Sequence, residues 1–137
     1  MKKSGRTIAI AALMLLFAGA AGAQDCRGGQ RPRQVAELMF GRNIGDRMGV
    51  SERAWGRFVE HEIAPRFPDG FTVLDATGRF RDRGNGRVVR EPSKLVEIVL
   101  PGDADDVGRL DEIAQAYKRR FKQRSVGIIV RAACVSF

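Results

Sequence analysis

Ala64-Pro65-Arg66-Phe67-Pro68-Asp69-Gly70-Phe71-Thr72 is the stretch on which the fold turns, because an amphipathic helix must stop in it and an alternating strand must begin. Pro65 lacks the amide that a helix interior requires and disfavours helical geometry in the residue before it. Pro68-Asp69-Gly70 then supplies a fixed φ, a side-chain acceptor and a permissive glycine, the ingredients of a turn. Arg66 and Asp69, of opposite charge, are expected to pin this corner structurally.

Upstream of the corner, Ser51 is placed to cap a helix, with Glu52 in the first turn where negative charge suits the helix dipole. Trp55, Phe58, Val59 and Ile63 fall on one face of that helix. His61 points away from this stripe and reads as a solvated surface residue; no metal-ligand spacing surrounds it, so no metal site is expected. Glu62 lies within the stripe, where it reaches Arg66. Still earlier, Val35 to Phe40 reads as a first strand, and Gly41 to Gly49, with three glycines and Asn43, as a loop. Residues 24–34 are polar and aperiodic, a flexible leader.

Downstream, Phe71 to Phe80 alternates as a second strand, and Asn85-Gly86 marks a type I′ hairpin returning along Val88 to Leu100. Pro92 implies a bulge or kink in the return strand. A two-residue loop at Asn85-Gly86 pairs Asp75 with Val96, Thr77 with Lys94 and Phe80 with Glu91, and leaves Asp75 and Lys94 as diagonal neighbours on one face. Arg79, Arg81, Arg83, Arg87 and Arg90 crowd the outer half of this hairpin; solvated edge charges of this kind discourage strand-to-strand aggregation, and anion binding is the other reading. Beyond Pro101-Gly102, Asp103 to Asp106 offers caps for a second helix with the stripe Leu110, Ile113, Ala114, Tyr117 and Phe121. Lys118, Arg119, Arg120 and Lys122 sit at its C-terminal end, where the dipole favours cations. Ser125 to Phe137 closes the chain as a Val- and Ile-rich last strand.

Strand, helix, strand, strand, helix, strand is the order of a ferredoxin-like α+β sandwich. Right-handed crossovers put both helices on one face of a four-stranded antiparallel sheet in the spatial order 4-1-3-2. Residues 35–137 are therefore expected to form a single α+β domain. Val96, Ile98 and Leu100 make the third of these strands apolar on one side, and Leu95 and Val99 on the other. The face without helices thus needs a cover: a homodimer, an apolar ligand or the folded-back leader.

The N-terminus has a basic start of Lys2, Lys3 and Arg6, an apolar run from Ile8 to Phe17 and the small residues Ala21-Gly22-Ala23. This is the pattern of a secretory signal over residues 1–23, and its uncharged run is shorter than the roughly 20 residues that span a bilayer. Localisation is accordingly expected to be periplasmic or secreted, without a stable membrane anchor after cleavage. Cleavage lowers the formal charge from +8 to +5. That excess lacks the dense, aromatic-interleaved stripe of a nucleic-acid binder, so no nucleic-acid partner is expected, and the charge reads as solubility and affinity for an anionic surface. Cys26 and Cys134, one near each end of the mature chain, invite a disulfide in an oxidising compartment, with two buried free thiols as the other reading. The strand order brings both toward one sheet edge.

Pro65-Arg66-Phe67-Pro68-Asp69-Gly70-Phe71-Thr72-Val73, Leu38-Met39-Phe40-Gly41, Trp55, Arg90-Glu91-Pro92-Ser93-Lys94 and Ala133-Cys134-Val135-Ser136-Phe137 together resemble the bacterial DUF3574 family, over nearly all of the mature chain. The resemblance implies a small, often exported protein with no established activity and no catalytic residues to carry over. Met39 stands where related chains often have tyrosine, so no phenol is required there.

No serine, histidine and acid set, no metal-spaced His or Cys and no phosphate loop is present, and no cofactor is expected. The leading expectation is a non-catalytic binding or interaction module that dimerises through its open sheet face. The alternative is a small enzyme using Asp75 or Glu91 as acid or base, with Lys94, Arg66 and Arg90 holding an anionic substrate. A small anionic or apolar ligand is the expected partner besides a second copy. The blander role for the same residues is ion pairing, Arg66 with Glu62 or Asp69 and Lys94 with Asp75.

Overall fold

Residues 26–137 are described by a computed structural model. Strand β1 (Arg31–Gly41) is followed by a short hairpin of β2 (Asn43–Ile44) and β3 (Arg47–Met48), then by helix α1 (Glu52–Phe58), which continues as a π-helical turn (Val59–Ile63). Then come β4 (Thr72–Arg81), β5 (Val88–Val99), α2 (Asp106–Phe121) and β6 (Gly127–Val135). The four long strands form one antiparallel sheet in the order β4-β5-β1-β6. Counted over those four, this is the expected α+β arrangement.

Ser51 caps α1 by accepting from the Ala54 amide at 3.2 Å. The π turn widens the last coil, with the Ala64 amide bonded to Val59 O at 2.9 Å, and Pro65 ends it. Alternation along β1 and β5 sends Ala36, Leu38, Phe40, Val96 and Ile98 toward the helices, where each is fully buried. There they meet Trp55, Phe58 and Ile63 from the first helical segment and Leu110, Ile113, Tyr117 and Phe121 from α2. Phe40, Phe58 and Tyr117 stack edge to face with centroids 4.8–5.9 Å apart. On the other side of β5, Leu95 and Val99 are only half-buried, so one face of the sheet is open as expected.

Several boundaries and contacts differ from expectation. β1 starts at Arg31, within the stretch read as leader, because residues 31–34 pair with β6 up to Arg31 opposite Val135. The pairing holds Pro32 opposite Cys134, and Cys26 is bonded to Cys134 with Cα atoms 5.4 Å apart. The hairpin register is shifted by two residues: Asp75 faces Lys94, Thr77 faces Pro92 and Phe80 faces Val89. The cause is a longer loop, residues 82–87, in which the Asp82 carboxylate accepts from the Gly84 amide at 2.7 Å and the Asn85 amide at 3.3 Å. An even shift preserves which face each side chain takes. Asp69 makes no side-chain hydrogen bond or ion pair among the described residues; it is exposed in its turn, so only Arg66 pins the corner. The signal reading for residues 1–23 lies outside the described residues. Among the described residues no helix is long and apolar enough to cross a membrane.

Candidate functional site

Lys94 gathers the densest charge cluster in the molecule. Its position on the helix side of β5 buries it to 6% exposure, beneath the first turn of α1. The ammonium is 2.5 Å from Asp75 Oδ1 and 2.9 Å from Glu52 Oε2. Glu52 also takes Arg42 Nη1 at 2.5 Å, while Arg42 Nε and Nη2 donate to Val50 O at 2.9 and 2.7 Å. Burial pulls the Lys94 ammonium toward neutrality, but the bonds to Asp75 and Glu52 outweigh it and its pKa ends above the ordinary value. The Lys94 bond holds the Asp75 and Glu52 carboxyls below the usual carboxylate range. Two cations and two carboxylates thus satisfy one another, and the shifts of Lys94, Asp75 and Glu52 each favour the charged form.

Glu91 lies on the opposite, open face. Its side chain runs across β1, and a Cβ on Gly41 would stand 2.5 Å from Glu91 Oε1, so a larger residue at position 41 would push the Glu91 carboxylate aside. The Asn43 amide donates to Glu91 Oε2 at 3.2 Å. Oε1 has no hydrogen-bond partner among the described residues, and Glu91 makes no ion pair there. Around it the small residues Gly41, Gly78, Ser93 and Gly127 leave an open-sided depression of about 520 Å³, walled by Met39, Phe80 and Val89 and rimmed by Lys122 and Arg124. Here, among the described residues, an acceptor without a partner, apolar walls and basic rim groups coincide, a combination suited to a small polar molecule.

The five residues expected to share a site therefore divide. Asp75 and Lys94 meet on the covered side, and Glu91 lies on the open one. Arg66 binds Glu62 at 3.0 Å and Glu112 at 2.9 Å, and Arg90 is exposed far out on the hairpin. Glu52, Arg42 and Glu112 are the partners that sequence reasoning missed. Glu52 was visible only as a helix-dipole residue, and Arg42 sits in a stretch read as loop.

What remains is whether the whole chain matches a known pattern. The family described as "Protein of unknown function (DUF3574)" matches residues 35–137. The chain belongs to this family. No curated protein matches the DUF3574 chain by sequence. A phage SAM lyase in complex with S-methyl-5′-thioadenosine is similar over 83% of this chain and 95% of its own, with 20% identity and a TM-score of 0.58, which is a likeness of fold. CutA from Synechococcus elongatus is similar over 75% of this chain and 78% of its own, with 10% identity and a TM-score of 0.48.

Proposed function

We propose that this DUF3574 protein is an exported, non-catalytic binding module that pairs with a second copy through the open face of its sheet. One observation carries the reading. Leu74, Leu95 and Met39 stand side by side across three paired strands with no helix of the described residues over them; on β6 the row meets Gly127, and Ile129 lies one rung away on the same face, opposite Glu37. Leu74, Met39 and Ile129 are 45%, 41% and 45% exposed. A continuous apolar band on a sheet face is the material of an isologous interface. Beside it Arg131 bonds Glu37 and approaches Glu97 at 3.5 Å, a charged row that would fix how two copies align. Export is supported by the secretory pattern of the N-terminus and by the Cys26–Cys134 bond. Size-exclusion chromatography with light scattering tests the pairing: a dimer is expected, and Met39→Glu should convert it to a monomer. A wild-type monomer at every concentration overturns the reading.

The enzymatic alternative is favoured only by the partnerless Oε1 of Glu91 in its depression, and the dispersal of Arg66, Asp75, Arg90 and Lys94 weighs against it. S-methyl-5′-thioadenosine, carried by the phage lyase, and adenosine monophosphate are reasonable first probes. Thermal stabilisation by either that is lost in Glu91→Gln would support this reading.

A further inference from the structure

The outer half of the β4–β5 hairpin carries cations that pair with no carboxylate among the described residues, although one of them, Arg81, donates to Gly86 O at 2.8 Å. β1 accompanies β5 only as far as Gly41 opposite Ser93, so residues 78–81 and 88–91 pair solely with each other and form a two-stranded ribbon. Arg79, Arg81, Arg83, Arg87 and Arg90 on this ribbon and its loop are all exposed, and none joins an ion pair among the described residues. The ribbon and its loop hold two acids, Asp82 and Glu91, each bonded to backbone amides through one carboxylate oxygen, so the arginines outnumber them five to two. Arg79 stands directly opposite Arg90, a like-charge rung that destabilises a ladder. In the last two rungs, behind the loop, Phe80 and Val88 are 48% and 63% exposed among these cations.

We infer that this ribbon docks tip-first onto an anionic lipid surface. The inference is independent of the pairing through the open face. All five cations are arginines, whose planar guanidinium groups bind phosphate oxygens in pairs. Headgroup phosphates between Arg79 and Arg90 turn a repulsive rung into a bridged one. Phe80 and Val88 occupy opposite faces of the last two rungs, Phe80 opposite Val89 and Val88 opposite Arg81, directly behind the polar loop 82–87, so when Arg83 and Arg87 enter the headgroup layer both apolar side chains follow them into the interface. A soluble polyanion offers no such apolar phase. A nucleic acid would want several stacking aromatics, and Phe80 is the only aromatic on the ribbon.

Vesicle co-sedimentation of the purified chain tests this, with phosphatidylglycerol mixed into phosphatidylcholine against phosphatidylcholine alone. Binding is expected only with the anionic lipid and should weaken as salt rises. Each arginine removed should lower partitioning about fivefold, so Arg79→Gln, Arg81→Gln and Arg90→Gln combined should lower it about a hundredfold, with an unchanged circular dichroism spectrum. Phe80→Ser with Val88→Ser should weaken binding while leaving its salt dependence intact. Any contribution of the N-terminal region is common to all these chains and drops out of the comparison. Equal binding to both vesicle types, full retention by the triple variant, or tighter arginine-dependent binding to soluble polyphosphate or RNA overturns the inference.

Discussion

Lys94 and Arg90 lie four residues apart on β5 and point to the same side of the sheet, yet one is buried between two carboxylates and the other stands in solvent opposite Arg79. The cross-strand partner differs, Asp75 against Arg79, and so does the cover, since Glu52 at the start of α1 reaches Lys94 while no helix extends over the ribbon. Charge beneath the helices is neutralised pair by pair, because an unpaired charge at low exposure is costly. Charge on the ribbon escapes that constraint, and its arrangement opposes folding slightly. Residues of the first kind belong to the structure, and residues of the second kind are those on which the proposed lipid docking rests.

The comparison breaks most visibly if the covered side is not what holds the chain together. Tyr117 is fully buried, packs against Phe40, Phe58 and Phe121, and donates to Gly41 O at 2.8 Å. Tyr117→Ala should lower stability by about 3–5 kcal/mol in urea unfolding. Any single ribbon arginine replaced by glutamine should change it by less than about 0.5 kcal/mol. Comparable losses at both places would erase the distinction.

A finer cut separates the Lys94 charge from its hydrocarbon stem. Asp75 and Glu52 are exposed enough to be solvated once Lys94 is gone, so Lys94→Ala should cost only about 2 kcal/mol. Lys94→Met, which keeps the volume, should stay within about 1 kcal/mol of wild type. The pH dependence has a definite sign. Asp75 and Glu52 titrate below their ordinary values of 3.8 and 4.5, so their contribution is present above those values and is lost as pH falls through the folded ones. Lys94 titrates above 10.5, so its contribution is present below that value and is lost as pH rises through the folded one. Thermal melts should show the wild type losing its advantage over Lys94→Met at both extremes. Parallel curves for the two proteins would show that the cluster stabilises through packing alone.

The order of elements could be read from punctuation: Pro65, Pro68-Asp69-Gly70, Asn85-Gly86 and Pro101-Gly102 each fall where the chain changes period. The stripes Trp55, Phe58 and Ile63 and Leu110, Ile113, Tyr117 and Phe121 are the core, because helical spacing is a local property. The register was not legible, since whether Asp82 spends its carboxylate on the loop amides is decided by loop geometry. Its error of two residues kept Asp75 and Lys94 on one face, so the pair survived. Glu52 and Arg42 joined that pair from 42 and 52 positions before Lys94, a convergence that only tertiary packing creates. Glu91 was recognised as a residue of interest, but the glycines that clear its path across β1 acquire meaning only when strands are laid side by side.

The smallest effect is also the one that best isolates the ribbon. Replacing Arg90 with glutamate places opposite charges directly across the ladder from Arg79, so Arg90→Glu should stabilise the protein by about 0.5 kcal/mol at low salt, and by less as salt screens the pair. The same substitution should weaken vesicle binding by more than Arg90→Gln does, because it reverses a charge instead of removing one. Stability and binding would then move in opposite directions at a single exposed residue. That is what distinguishes a position kept for a partner from one that only solvates an edge: a purely protective edge arginine would show the gain in stability with no change at the vesicle surface.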